Sequence, residues 1–277
     1  PAVADLMLPV PVLRDVAVQV IPVDPPLADG GRGIVLLSDR TRERAVERMR
    51  ADFVANASHE LRTPLASLIG FIETLRGPAA DDPAAQQRFL QIMAEQSDRM
   101  RRLIDDLLGL SRIELTEHQA PSGRADVALV ARAEGDAMAP ILAARKARLV
   151  LDLSPAIAEP ADSDQVAQVI RNLLDNAIRH GREGGTIRLA VTHGAAPDGR
   201  GGILISVTDD GPGIPRDHIP RLTERFYRVD KGRSRNAGGT GLGLAIVKHI
   251  VNRHRGTLGI DSEEGVGTTF RVWLPGG

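Results

Sequence analysis

The sequence predicts a multidomain chain in which an all-α helical hairpin is followed by an α+β two-layer sandwich. Between residues 42 and 118, apolar side chains recur at three- and four-residue steps in two long runs, as in amphipathic helices. From residue 125 to residue 277, alternating runs typical of strands are mixed with periodic runs typical of helices. A short segment of β character, residues 1–41, precedes the hairpin.

Composition excludes several classes of function. The 277 residues suffice for about two domains, and the formal net charge of −1 predicts no bulk attraction to nucleic acid. The chain has no cysteine, so disulfides and thiolate metal sites are excluded. No apolar run approaches the roughly 20 residues that span a bilayer, so we expect a soluble, cytoplasmic chain without a membrane segment. Because it starts at Pro1 rather than at a methionine, we also expect a fragment of a longer protein.

The N-terminal segment predicts two strands. Val16, Val18 and Val20 alternate like a half-buried strand. Residues 34–37 form a second apolar run after a stretch rich in turn residues. Since two strands do not make a domain, we expect the end of a larger sheet.

The first long helix contains the most informative stretch of the chain, Ser58 to Leu65. His59 lies outside the apolar stripe and is expected to face solvent, with Thr63 one turn further on the same face. Pro64 cannot donate to the carbonyl of Glu60, so a bend is expected beside the histidine. The stripe itself consists of Phe53, Ala57, Leu61, Leu65, Leu68, Ile72 and Leu75.

The second long helix predicts a dimer. Gly77-Pro78 ends the first helix near Arg76, and a second periodic run follows Pro83. A hairpin of two such helices cannot cover both apolar stripes, whereas two hairpins can do so as a four-helix bundle. We therefore expect a homodimer. The second stripe consists of Phe89, Ile92, Met93, Gln96, Met100, Leu103, Leu107 and Leu110.

The third segment predicts helices on one face of a sheet. Helices are expected from residue 127, over 164–180 and over 242–254. Strands are expected over 148–153, over 187–191 and 203–207 as an antiparallel pair, and over 257–260 and 268–274 as a hairpin.

Four local patterns in this segment favour a nucleotide site. Asn172 and Asn176 share a helix face and offer amide oxygens to a cation, although a surface helix also explains them. Residues 209–213, Asp-Asp-Gly-Pro-Gly, follow a strand; Asp209 can accept from an exocyclic amine, and a plain turn is the alternative. Residues 238–244 are a Gly-rich run that opens a helix, a phosphate-binding geometry that is not a Walker loop. The basic segment 226–236 between them is either a lid or a solvated loop.

In this order, the patterns resemble the transmitter core of bacterial sensor histidine kinases over residues 42–277. Residues 53–65 resemble the H-box, 172–177 the N-box, 209–213 the G1 box, Phe226 the F-box and 239–244 the G2 box. Residues 50–56 and 105–108 resemble phosphate-regulon-type sensors more specifically. The resemblance implies three parts: the end of a PAS-like sensor domain at 1–41, a dimerisation and phosphotransfer hairpin at 42–118, and a catalytic ATP-binding domain of the gyrase/Hsp90/kinase/MutL (GHKL) type at 125–277.

The resemblance also implies roles for individual residues. His59 is the expected phosphoryl acceptor, Glu60 takes its proton, and Thr63 orients water for a secondary phosphatase activity. Asn176 is the expected Mg²⁺ ligand, and Arg228 stabilises developing charge. Asn172 stands where related ATPases have a water-activating glutamate, and an amide cannot accept that proton. The expected ATP-binding residues are Asn172, Asn176, Arg179, Asp209, Gly211, Gly213, Phe226, Gly239, Thr240, Gly241, Leu242 and Gly243.

Two departures from the family pattern stand out. Arg179 and His180 follow the N-box where lysine and an aromatic residue are common, so the phosphate contact of Arg179 has a different geometry. The remaining histidines share no motif and are interpreted as surface residues: His118, His193, His218, His249 and His254.

The leading hypothesis is an ATP-dependent protein-histidine kinase that passes the phosphoryl group to an aspartate of a response regulator receiver domain. We expect such a chain to be the soluble part of a longer bacterial sensor anchored in the inner membrane. The alternatives are a dimeric scaffold that binds nucleotide without kinase activity, and a simple ATPase or chaperone. Asn172 in place of a carboxylate argues against the latter.

Overall fold

The computed structural model describes residues 2–8, 14–24, 32–196, 199–229 and 239–276. The chain divides into two compact units, Pro1–Ala66 and Ser67–Gly277, and the first long helix continues from one into the other.

In the first unit, an antiparallel sheet has the order β1-β2-β3, with β1 Ala2–Leu8, β2 Arg14–Pro22 and β3 Gly33–Asp39. The two predicted strands are present as β2 and β3, and β1 was not foreseen. In β2, Val16 and Val18 are half-buried as predicted, whereas Val20 is 41% exposed and the fully buried side chains are Asp15 and Ala17.

Asp15 is buried because it joins the sheet to the first helix, α1 (Thr41–Arg76). Its carbonyl accepts the N–H of Arg40 at 2.7 Å, and its Oδ2 accepts from Arg48 Nη2 at 2.7 Å. At the start of the helix, Asp39 Oδ1 accepts both the N–H (3.0 Å) and the hydroxyl (2.6 Å) of Thr41. These hydrogen bonds lower the pKa of Asp39. The helix therefore begins at a polar cap fixed to the sheet.

In the second unit, the end of α1 and α2 (Pro83–Thr116) form the predicted hairpin. The chain leaves α1 where the N–H of Ala79 bonds the Thr74 carbonyl at 2.9 Å. It enters α2 where Asp82 Oδ1 accepts two backbone N–H groups, at 3.0 Å each. Phe71 and Phe89 stack between the helices with their ring centroids 5.4 Å apart.

The sandwich contains a five-stranded sheet in the order β5 (Arg148–Leu153), β7 (Thr186–Ala195), β8 (Gly201–Asp209), β10 (Gly267–Pro275) and β9 (Thr257–Glu263). The predicted antiparallel pair β7–β8 is confirmed, with Ile187 opposite Asp209, and so is the β9–β10 hairpin. The parallel pairing of β5 with β7 was not foreseen. Two short strands, β4 (Ala125–Asp126) and β6 (Ile157–Ala158), pair with each other outside this sheet.

Helices pack on one face of this sheet, which confirms the α+β sandwich. α5 (Ser163–His180) and α6 (Gly243–Arg253) lie side by side, and their apolar stripes bury Leu173, Leu174, Ile246 and Ile250 against β8 and β10. Each fully buried aliphatic side chain of this kind contributes about 1.5–3 kcal/mol. The helices of the sandwich are α3 Val127–Ala137, α4 Ala139–Ala144, α5 Ser163–His180 and α6 Gly243–Arg253, with a 3-10 helix at Arg216–Arg221.

Within the ranges described, the structure contains no helix whose length and apolar character would allow it to cross a bilayer.

Candidate functional site

His59 lies on the exposed side of α1, as its position outside the apolar stripe predicted. Glu60 beside it is half-buried. One turn further along, Thr63 is exposed and its hydroxyl donates to the carbonyl of His59 at 3.3 Å. The imidazole is thus accessible to a reactant from solvent.

Asp209 is a buried carboxylate at the end of β8, 6% exposed. Its Oδ1 accepts the N–H of Gly211 at 2.9 Å. Burial raises the pKa of Asp209, and hydrogen bonds from the backbone of Gly211 and Thr268 act in the opposite direction. A carboxylate held in this way can accept a hydrogen bond from an exocyclic amine.

The two glycines after Asp209 are required by the packing of the backbone. Gly213 has φ +71°, and a Cβ there would overlap the carbonyl of Glu263. A Cβ on Gly211 would lie 2.5 Å from the Asp209 carboxylate oxygen Oδ1. Any larger residue at either position would therefore displace the carboxylate or the adjoining hairpin.

Asn172 and Asn176 lie one turn apart on α5, and Asn172 borders the start of α6. The Oδ1 of Asn172 is 3.6 Å from the position that a Cβ on Gly243 would occupy. Its amide nitrogen Nδ2 is buried and has no hydrogen-bond partner in the described part of the chain. A buried donor without an acceptor costs about 1–3 kcal/mol, so it is a position where an oxygen-bearing ligand is expected.

A cluster of positive side chains lies at the C-terminal end of α5. Arg179 Nε donates to Asp175 Oδ2 at 2.6 Å, and Arg145 Nη2 donates to the carbonyl of Arg179 at 3.2 Å. Desolvation lowers the pKa of His180; the charges of Arg179, Arg145 and Arg228 act in the same direction, and Asp175 opposes them. Asp175, which sequence reasoning did not select, fixes the guanidinium of Arg179.

The Gly-rich run forms a tight turn before α6. Gly241 has φ +73°, and a Cβ there would lie 2.9 Å from the Cα of Phe226. Its carbonyl accepts the N–H of Phe226 at 2.8 Å. Thr240 Oγ1 accepts the N–H of Leu242 at 3.3 Å. The turn therefore presents the N-terminal end of α6, whose free N–H groups and dipole favour an anion.

The basic segment 226–236 lies outside the described residues from 230 onward. Its first residues are fixed: Arg228 Nη2 donates to the carbonyl of Gly239. Phe226 is half-buried with φ +62°. The guanidinium of Arg221 lies 4.3 Å from the centroid of the Tyr227 ring, a cation–π contact.

Asp106 of α2 reaches the same turn, and no local sequence signal indicated this. Its Oδ2 accepts from the hydroxyl of Thr240 at 2.7 Å. Burial raises the pKa of Asp106, and the nearby carboxylates of Asp175 and Asp105 add to that effect. A pairing across 134 positions of sequence can be found only in three dimensions.

The described residues include no group of three or more histidines and carboxylates that could hold a metal ion. The Mg²⁺ ligand expected from the sequence is of a different kind, the amide oxygen of Asn176. A single protein oxygen suits Mg²⁺, which takes its other ligands from water and substrate phosphates.

One prediction about the remaining histidines was wrong. His254 has no exposed surface, because its ring lies between α6 and the start of α5. His249 and His218 are half-buried, and His118 and His193 are exposed as predicted.

Two models of known protein families match this chain. Residues 49–116 match the family model of the His Kinase A (phospho-acceptor) domain. Residues 161–277 match the histidine kinase-, DNA gyrase B- and HSP90-like ATPase model. The first match contains His59, and the second contains α5, the Asp209 turn and the Gly-rich run.

The similar proteins and the similar solved structure are named as sensor proteins or histidine kinases. The chain is 44% identical over 238 residues to the phosphate regulon sensor protein PhoR of Pseudomonas aeruginosa, covering 86% of this chain and 52% of that protein. It is 36% identical over 248 residues to the sensor protein kinase WalK of Staphylococcus aureus, covering 87% of this chain and 57% of that protein. It therefore spans about half the length of these relatives. The structure of the Acinetobacter baumannii histidine kinase AdeS matches with a TM-score of 0.60 at 25% identity, covering 78% of this chain and 97% of AdeS.

A phosphoacceptor hairpin followed by an ATPase-type domain defines a phosphotransfer module. The chain belongs to the sensor histidine kinases and carries their transmitter core.

Proposed function

We propose that this chain is an ATP-dependent protein-histidine kinase that phosphorylates His59. The single observation that supports a nucleotide most strongly is the unpartnered, buried amide of Asn172 beside the start of α6. A phosphate oxygen supplies the acceptor that this amide lacks, at a helix end that favours negative charge.

The proposed nucleotide contacts follow from the positions of the side chains. Asp209 accepts from the exocyclic amine of adenine through a carboxylate already fixed by Gly211. The turn Gly239-Thr240-Gly241-Leu242-Gly243 directs backbone N–H groups toward the phosphates. Arg179 and Arg228 supply positive charge near the end of α5, and Phe226 stabilises the turn through its bond to Gly241.

A divalent cation fits the donor set on α5. Asn176 would hold Mg²⁺ through its amide oxygen, and the bound ion would neutralise charge on the phosphates during transfer. The Asn172 amide next to it cannot accept a proton from water, which disfavours hydrolysis of the nucleotide.

The chemistry at His59 is a phosphoryl transfer to nitrogen. The unprotonated ring nitrogen attacks the γ-phosphorus, the bond from that phosphorus to the β-γ bridging oxygen breaks, and ADP leaves. Glu60 takes the proton from the other ring nitrogen. Thr63, on the same helix face, orients a water that attacks the phosphoaspartate of the receiver domain; the P–O bond to the aspartate breaks and inorganic phosphate leaves, which is the secondary phosphatase activity.

The proposed partners are a receiver domain and a second copy of the chain. A phosphohistidine is a donor for an aspartate of a response regulator, which is the role that the names of the sensor relatives suggest. Exposed apolar side chains on α2 support a homodimer; Leu90, Ile104 and Leu108 are 57%, 43% and 53% exposed. The molar mass in solution tests the dimer.

The direct test incubates the chain with ³²P-labelled ATP and Mg²⁺, then with a panel of purified receiver domains. We expect acid-labile label on the chain that moves to one receiver. His59→Gln should abolish labelling while nucleotide binding survives, and His118→Gln, at another exposed histidine, should label normally. Label that persists in His59→Gln would exclude His59 as the acceptor.

A further inference from the structure

The C-terminal half of α2 is attached along the sandwich by a row of polar contacts. Asp106 binds Thr240 at 2.7 Å, Glu114 Oε1 accepts from Arg225 Nη2 at 2.5 Å, and Glu117 Oε2 lies 2.7 Å from His249 Nδ1. Between these contacts, Leu110 and Ile113 are buried. α2 is thus docked beside α6 and the turn that precedes it.

The first of these contacts lies at the proposed phosphate site. Thr240 belongs to the turn that leads into α6, and Asp106 also lies near the Asp175 carboxylate of α5. A negative side chain of α2 is therefore held at a helix N-terminus, where the negative phosphates are proposed to bind.

The hydroxyl of Thr240 has one proton to donate. In this structure that proton is donated to Asp106, so the same hydroxyl cannot donate to a phosphate at the same time. Like-charge repulsion between the carboxylate and a triphosphate acts in the same direction. The two occupants of the turn exclude each other by hydrogen bonding and by charge.

We propose that Asp106 is an autoinhibitory latch that docks α2 on the nucleotide turn and is released when nucleotide phosphates bind. This inference rests on the proposed nucleotide site and adds regulation to it. Glu117 then forms the hinge side of the contact, because its partners His249 and Asn252 lie in the second half of α6, away from the turn.

The test is the affinity of the full chain for ATP with Mg²⁺, measured by isothermal titration calorimetry. We expect Asp106→Ala to bind ATP about 10-fold more tightly than the wild type, the equivalent of one charge-assisted hydrogen bond. Asp105→Ala is the matched control, because its exposed carboxylate lies next in sequence on α2 and should leave the affinity within about twofold.

The outcomes separate the latch from the nucleotide site itself. Equal affinities in wild type and Asp106→Ala, or weaker binding by the variant, would overturn the latch and leave the nucleotide site standing. Binding by Asp106→Ala alone would support a fully closed latch. Absence of binding by both would overturn the nucleotide site and the latch together.

A second measurement tests the link through Thr240. In a Thr240→Val background, Asp106→Ala should give less than half of the gain in affinity that it gives in the wild type, because the shared hydrogen bond is already absent. Full additivity of the two substitutions would contradict a latch that acts through this hydroxyl. Hydrogen exchange should also show that ATP speeds exchange of amides 103–113 in the wild type, and an unchanged rate would count against release.

Discussion

The buried imidazole of His254 joins the end of α6 to the start of α5 by accepting the backbone N–H of Asp162 on Nε2 at 3.0 Å. Its other nitrogen, Nδ1, lies 2.8 Å from the carbonyl of Ile250 and donates to it in the neutral ring. Both nitrogens are used, so protonation of Nε2 would break the bond to Asp162. Asp162 is also the N-cap of α5, which connects this histidine to the helix that carries Asn172 and Asn176.

This relationship predicts a pH dependence of stability. Burial lowers the pKa of His254 below its ordinary 6.5; the carbonyl of Ile250 and Asp162 oppose this shift, and Arg253 supports it. Below pH 6.5, His254 binds a proton in the unfolded chain but stays neutral in the native chain. The free energy of unfolding therefore falls as the pH decreases from 6.5. Urea unfolding between about pH 5 and 7 should show a steeper pH slope for wild type than for His254→Gln. His193→Gln, at an exposed ring, is the control, and identical slopes for wild type and His254→Gln would refute the assignment.

Gly241→Ala is expected to weaken ATP binding about 10-fold or more. Its φ of +73° costs an L-residue roughly 1–2 kcal/mol, and the added methyl group would press on Phe226. The turn that presents the N-terminus of α6 must then shift. Calorimetric titration with ATP measures the loss. Gly201→Ala, where a methyl group meets open space, should bind as the wild type does, and an unaffected Gly241→Ala would contradict the role of the turn.

Asp209→Asn should reduce the affinity for ATP by about 10- to 150-fold, the range for losing a hydrogen bond to a charged acceptor. The amide keeps the size of the side chain and can still accept from Gly211, so the fold should persist. The neighbouring Asp210, whose Oδ2 accepts the N–H of Thr186 at 2.8 Å, provides the comparison variant Asp210→Asn. If Asp209→Asn binds as tightly as wild type, the adenine contact lies elsewhere.

Arg171→Met should lower the free energy of unfolding by about 1–3 kcal/mol. Arg171 donates to both carboxylate oxygens of Glu134, at 2.9 and 2.7 Å, and the Glu134 side chain is only 10% exposed. Removing the arginine leaves this buried carboxylate unpaired. Adding Glu134→Gln should recover part of the loss, and Arg132→Met, at an exposed arginine of α3, should cost little. Equal stability of Arg171→Met and Arg132→Met would show that the pair contributes nothing.

Local sequence signals predicted most of the elements. Gly77-Pro78 correctly marks the end of α1, because glycine is a poor helix former and proline lacks the N–H that a further turn needs. The turn residues up to Pro83 correctly precede α2. The alternation over residues 187–191 and 203–207 predicted β7 and β8, since neighbouring strands joined by a short loop pair with each other.

Contacts between residues far apart in the sequence could not be predicted from such local signals. No turn motif in the sequence indicates the parallel pairing of Leu149 with Ile187. The burial of His254 depends on a backbone N–H 92 positions away, and a lone histidine in a helix looks the same whether it is buried or exposed. The contact of Asp106 with Thr240 was missed for the same reason. The exposure of His59, by contrast, followed from the period of its own helix.

The position of the phosphoryl group on the chain decides whether His59 is the acceptor. The chain, incubated with ATP and Mg²⁺ and kept at neutral or alkaline pH, is digested and sequenced by tandem mass spectrometry. We expect the mass of one phosphoryl group on the imidazole of His59, lost on acid treatment. A phosphoryl group on any other residue, or none on a chain that binds ATP, would contradict it.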